Sequence, residues 1–177
     1  NSETVHEVAG CYIIDIDNPA EVAGASDYVF IGKVERKGDT TYQNELEGEP
    51  FERGENGKLM TGMPHTYYDV SVIDNMKGKL PQDKQIQILN TGGERIDGSG
   101  YEIMEGDKKL EVGKTYIFLG NKEKDGSIYI DGTNFNVPIK ISPEQLKGGK
   151  KGLEQNKTYQ RYKKAIKNQI KEPWLDD

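Results

Sequence analysis

The sequence predicts a mainly β fold, a small antiparallel barrel with a short helix on its N-terminal side and a longer helix after the last strand. Three observations carry this expectation. Five or six short runs show strand-like spacing of apolar residues, glycine- and proline-rich breaks separate most of them, and one helical stripe follows near the C-terminus. At 177 residues the chain is long enough for one domain with a sizeable core. Composition is polar, with 33% hydrophobic and 31% charged residues, yet 10 Tyr and 4 Phe supply material for a packed interior.

Along the chain, Asn18 and Pro19 form a helix start, a capping side chain followed by Pro at the first helical position, so 20–26 is a short helix. In 28–34, Tyr28 and Phe30 alternate with Val29, Ile31 and Val34; with both faces apolar this is a central strand. The stretch 36–66 carries Gly38, Gly48, Pro50, Gly54, Gly57, Gly62 and Pro64, and is expected to be a long loop. Strands follow at 66–76 and 85–91. Tyr101 to Met104 can form a short strand, and Leu110-Glu111-Val112-Gly113-Lys114 turns into a strand at 115–119. Asp125-Gly126 between that strand and 127–130 is a hairpin signal.

The stretch 138–141 is a candidate edge strand, and Ser142-Pro143-Glu144 opens a short helix. The main helix is expected over 153–171, with Tyr159, Tyr162, Ile166 and Ile170 on one buried stripe. The predicted barrel is built from 28–34, 66–76, 85–91, 115–119 and 127–130, with Phe30, Val70, Val72, Ile88, Tyr116 and Phe118 buried.

Charge divides the chain. Residues 1–146 carry a net −11 and residues 147–177 a net +5, within an overall −6. The acidic body argues against nucleic acid as a partner. No apolar run approaches the ~20 residues a transmembrane helix needs. Cys11 is the only cysteine, so no internal disulfide forms, and beside Tyr12-Ile13-Ile14 it is a buried structural thiol. Val8-Ala9-Gly10-Cys11 mimics a lipoprotein cleavage box, but Asn1 to Glu7 lack the apolar stretch such a signal needs; any signal peptide lies upstream of Asn1.

Four segments carry a resemblance. They are Ala25-Ser26-Asp27-Tyr28-Val29-Phe30-Ile31-Gly32-Lys33-Val34, Tyr68-Asp69-Val70-Ser71-Val72-Ile73-Asp74-Asn75-Met76-Lys77-Gly78, Ile86-Gln87-Ile88-Leu89-Asn90-Thr91-Gly92-Gly93, and Leu110-Glu111-Val112-Gly113-Lys114-Thr115-Tyr116-Ile117-Phe118-Leu119-Gly120. Over roughly 11–146 the chain resembles the netrin-like domains of tissue inhibitors of metalloproteinases and of bacterial surface proteins. The resemblance implies a five-stranded OB barrel flanked by helices, 1–146 as the barrel and 147–177 as a basic helix and tail packed on it. It also implies an extracellular or cell-surface setting. The family's other cysteines have no counterpart here, so its disulfide staples are absent. The inhibitors chelate zinc through a terminal Cys, whereas ten residues precede Cys11 in this chain.

Catalysis has little to stand on. The two histidines, His6 and His65, fall in segments expected to be tail or loop, and no nucleophile elbow, phosphate loop or zinc-protease motif occurs. Cys11, His6 and His65 match no zinc spacing. Asn121, Glu123 and Asp125 mimic the start of a calcium loop, but Gly132 stands where a bidentate Glu is required, so a hairpin turn fits better. No cofactor or metal is expected.

Two surfaces remain for binding. The C-terminal helix presents Lys157, Arg161, Lys163, Lys164, Lys167 and Lys171, either a solvated face or a site for an anionic cell-envelope polymer, lipid headgroup or acidic protein. The 36–66 loop offers Tyr42, Phe51, Met60 and Met63 for contact with a protein, or as a cover over one barrel end. The expectation is a monomeric, non-enzymatic, exported binding module. The alternatives are a protease-inhibitor-like protein working through its N-terminal edge, and a small-ligand carrier or enzyme with a barrel-mouth pocket.

Overall fold

The computed structural model describes residues 3–10, 12–42, 52–53, 59–60, 62–81 and 84–171. In chain order the elements are β1 (Val5–Val8), α1 (Pro19–Gly24), β2 (Tyr28–Thr41), β3 (Glu52–Arg53), β4 (Leu59–Met60), β5 (His65–Lys77), β6 (Gln85–Thr91) and β7 (Gly93–Glu94). They continue with β8 (Tyr101–Met104), β9 (Thr115–Lys122), β10 (Ile128–Ile130), β11 (Asn136–Pro138), α2 (Pro143–Lys147), α3 (Gly149–Leu153) and α4 (Lys157–Lys167).

The predicted barrel is present. Strands β2, β5, β6, β10 and β9 form a closed ring in that order, with β9 pairing back onto β2. Four seams are antiparallel (β2–β5, β5–β6, β9–β10 and β2–β9), and β6–β10 is parallel. Parity requires this: an odd ring of strands cannot alternate direction at every seam. Register shifts along β2–β5 supply the bends that closure needs. At the β9–β10 corner Gly120 lies against the Tyr129 carbonyl so closely that a Cβ would collide with it.

Phe30, Val70, Val72, Ile88, Tyr116 and Phe118 are all buried, and Phe30 and Phe118 pack ring to ring at 5.6 Å across the β2–β9 seam. The continuous burial of Val29 to Ile31 follows from the central place of β2, flanked by β5 and β9.

Several expectations change. Arg36 to Thr41 is strand, not loop: β2 and β5 continue as an arm paired from Arg36↔Asp69 to Thr41↔His65. The arm is held by polar contacts, the Arg36–Asp69 ion pair at 2.8 Å and the Thr40–Thr66 hydroxyl pair at 3.0 Å, so it lacks the apolar alternation that marks a core strand. His65 accordingly opens β5, and His6 lies in β1, which runs parallel to β8 in a small second sheet completed by β7. The late edge strand is Asn136–Pro138, two residues before its expected start, with Asn136 opposite Phe118.

Caps set the helix ends. Asn18 Oδ1 accepts the Ala20 N–H at 3.1 Å, and Ser142 with Gln145 forms a capping box at α2. The single helix expected over 153–171 is interrupted. Asn156 caps a new helix by accepting the Tyr159 N–H at 3.1 Å, while its amide donates to the Lys140 carbonyl at 2.7 Å. Helix α4 therefore starts at Lys157, and it ends at Lys167.

Candidate functional site

Helix α4 buries Tyr159, Tyr162 and Ala165 in the same apolar cluster as the barrel interior, α1 and Leu153 of α3, with Ile166 half-buried beside them. Ile170 was expected on the buried stripe but is 46% exposed. The helical path has ended by then: the Ile170 N–H donates to the Ala20 carbonyl at 3.0 Å, which ties the segment after α4 to α1. Gly24 of α1 permits this approach, because a Cβ there would strike the Ile170 carbonyl. Nearby, the Lys77 ammonium donates to the Ala23 carbonyl at 2.8 Å and to Gln169 at 2.6 Å. Burial, then the charge of Lys171, pushes its pKa down.

All six predicted basic residues, Lys157, Arg161, Lys163, Lys164, Lys167 and Lys171, are exposed. Two are engaged locally: Lys163 pairs with Glu154 at 2.9 Å, and Arg161 lies over the Tyr162 ring at 5.1 Å. Lys157, Lys164, Lys167 and Lys171 form no ion pair among the described residues.

Beside this face, the end of β5 and the two helices α3 and α4 enclose a groove of about 280 Å³, lined by Asn75, Met76, Lys150, Tyr159, Lys163 and Ile166. Lys150 comes from α3, which carries no apolar stripe to mark it in the sequence. Its ammonium donates to Asp74 Oδ1 at 2.9 Å and to the Asn75 carbonyl at 3.3 Å. Asp74 is only 3% exposed, so this pair fixes the lysine over a buried carboxylate. Burial, with the Asp74 and Glu154 carboxylates nearby, pushes the Tyr159 phenol up to about 12.

The second surface is less coherent. Tyr42 donates to the Glu94 carbonyl at 2.5 Å and, like Met63, is half-buried. Phe51, the Met60 side chain and Cys11 lie outside the described residues. His6 contacts the Ser99 carbonyl at 3.1 Å, while His65 stacks obliquely on Tyr129 at 5.7 Å, so the two histidines sit in different sheets. Asp125 closes the β9–β10 turn by accepting the Ser127 N–H at 2.9 Å, which makes this stretch a hairpin, while Asn121 accepts the Asp27 N–H at 2.7 Å and ties it to the residues before β2.

One polar cluster escaped the sequence reading. At one end of the barrel Tyr12 stacks on Phe135 at 6.5 Å, and Asp107 is 7% exposed. The Tyr12 hydroxyl and Asp107 Oδ2 are both buried with no hydrogen-bond partner among the described residues. The Tyr129 hydroxyl joins Thr91 at 3.0 Å and Asp131 at 3.2 Å close by. No group of three or more His, Cys, Asp or Glu side chains is placed to hold a metal among the described residues. No helix among them is long and apolar enough to cross a membrane. No family model matches the chain, and no curated protein matches it.

Proposed function

We propose that this chain is an exported or cell-surface binding module, acting without catalysis, that engages an anionic macromolecule through the exposed face of α4. The observation that carries the reading is the set of exposed cations, Lys157, Lys164 and Lys167 on α4 and Lys171 shortly after it, that form no ion pair among the described residues of a chain whose net charge is −6. Their grouping along one short stretch of the chain makes a local positive field suited to an anionic partner. The resemblance to netrin-like domains supports the exported setting.

The test is retention on polyanion-coated beads and on vesicles containing anionic phospholipid. The native protein is expected to bind at low salt and to be released as the Debye length shrinks to about 3 Å near 1 M salt. A K157Q/K164Q/K167Q variant should lose retention while keeping its melting temperature, because exposed charges contribute little to folding. Retention indifferent to salt and to the triple change, or no retention of the native protein, would overturn the proposal.

A further inference from the structure

We infer that the groove between β5 and α4 receives the single large apolar side chain of a short acidic segment in a partner protein, with Lys150 and Lys163 meeting the flanking carboxylates. The inference rests on the basic-face reading above and names the class of its partner.

Volume comes first. Small-molecule sites run from about 300 to 1,000 Å³, and a groove of about 280 Å³ lies just under that range. It suits one side chain rather than a cofactor or a lipid tail. The lining has two characters. Met76, Ile166 and the Tyr159 ring make an apolar floor, while Lys150 and Lys163 supply ammonium groups from two different helices. An apolar anchor with acidic neighbours matches both characters together. A purely charged polymer would leave the floor unused, and a neutral hydrophobe would leave unused the donors that Lys150 and Lys163 keep beyond their own ion pairs with Asp74 and Glu154.

The lysines are also held in place. An ammonium has three donors. Lys150 uses two, on Asp74 and the Asn75 carbonyl, and Lys163 uses one, on Glu154. Each keeps at least one donor for an incoming carboxylate. Being tethered already, they lose less side-chain freedom on binding than free lysines would. Lys167, four residues after Lys163, extends the positive edge along the helix.

The probe is a fluorescent peptide of about eight Asp and Glu residues with one central Phe, compared with the same peptide carrying Ala in place of Phe. With the full chain, the Phe peptide is expected to bind about tenfold more tightly, the return for burying most of a Phe ring. Met76→Trp, which fills the groove, should bring the two affinities together without lowering the melting temperature. Lys163→Gln should weaken both peptides by a similar factor. Lys150 is left intact because its loss would strand buried Asp74 without a counter-charge.

Equal binding of the Phe and Ala peptides would overturn the groove assignment while leaving the basic face as a charge-only site. Binding of neither peptide, with polyanion retention intact, would make the partner a polymer and overturn the inference. Binding of the Phe peptide only after truncation beyond Lys171 would also overturn it, assigning the groove to the chain's own acidic end, which contains Glu172, Trp174, Asp176 and Asp177.

Discussion

Replacing Asp107 by Asn probes the polar end of the barrel. Burial pushes this carboxyl from its ordinary 3.8 up to about 6, against the Lys108 backbone N–H and the Asn136 amide, which pull it down. The titratable groups that feel its charge are phenols: Tyr12 from the segment after β1, Tyr68 from β5 and Tyr116 from β9. No cation pairs with it among the described residues. Because the folded pKa lies above the unfolded one, the folded state holds the proton more tightly. The stability this contributes is complete below about pH 4 and is lost as pH rises through about 6.

A shift from 3.8 to about 6 corresponds to roughly 3 kcal/mol, at about 1.4 kcal/mol per pH unit. Asp107→Asn removes that loss but buries amide donors that need partners, a cost of about 1 kcal/mol. The variant is expected to be about 2 kcal/mol more stable than the native protein at pH 7.5, and no more stable at pH 4. Urea unfolding followed by circular dichroism, on both proteins across pH 4 to 8, measures the difference. Taking the difference cancels other titrations, including that of Asp131, whose carboxyl burial also raises. A stability difference that does not change with pH, or a variant weaker at pH 7.5, would refute the electrostatic account.

Three further outcomes follow from the packing. Gly24→Ala should cost roughly 1–3 kcal/mol, because its methyl group meets the Ile170 carbonyl, and hydrogen exchange should rise in α1 and after Lys167 before the barrel responds. Tyr162→Ala should cost about 3–5 kcal/mol and Ile170→Ala less than about 0.5 kcal/mol by denaturant titration, with half-buried Ile166 falling between them. With Cys11 as the only cysteine, reductant should leave the melting temperature of the monomer unchanged; a drop would mean that a thiol bond supports the fold.

Much of the basic site was legible in the sequence because helical charge patterns are local. Lys157, Arg161, Lys163, Lys164 and Lys167 fall within one helix whose apolar stripe already orients them. The groove was not legible. Met76 ends a strand, Lys150 sits on a separate short helix, and Tyr159 lies on α4, so nothing short of the packed structure brings them together. The same holds for Tyr12 and Asp107, which are distant along the chain and carry no motif.

For the fold, local chemistry was enough where each element faces a core. Alternating apolar residues placed the five barrel strands, Asn18 and Ser142 announced helix starts, and Asp125-Gly126 announced the hairpin. These signals are short-ranged, so they survive without knowledge of neighbours. Tertiary structure decided what depends on neighbours. The arm from Arg36 to Thr41 is strand because Asp69 and Thr66 stand opposite it, and β1 is strand because β8 runs alongside. The helix expected through Gln155 breaks there because the Asn156 side chain reaches the Lys140 carbonyl. The parallel β6–β10 seam belongs to neither strand alone: it follows from closing five strands into a ring, a constraint that exists only once the whole barrel has formed.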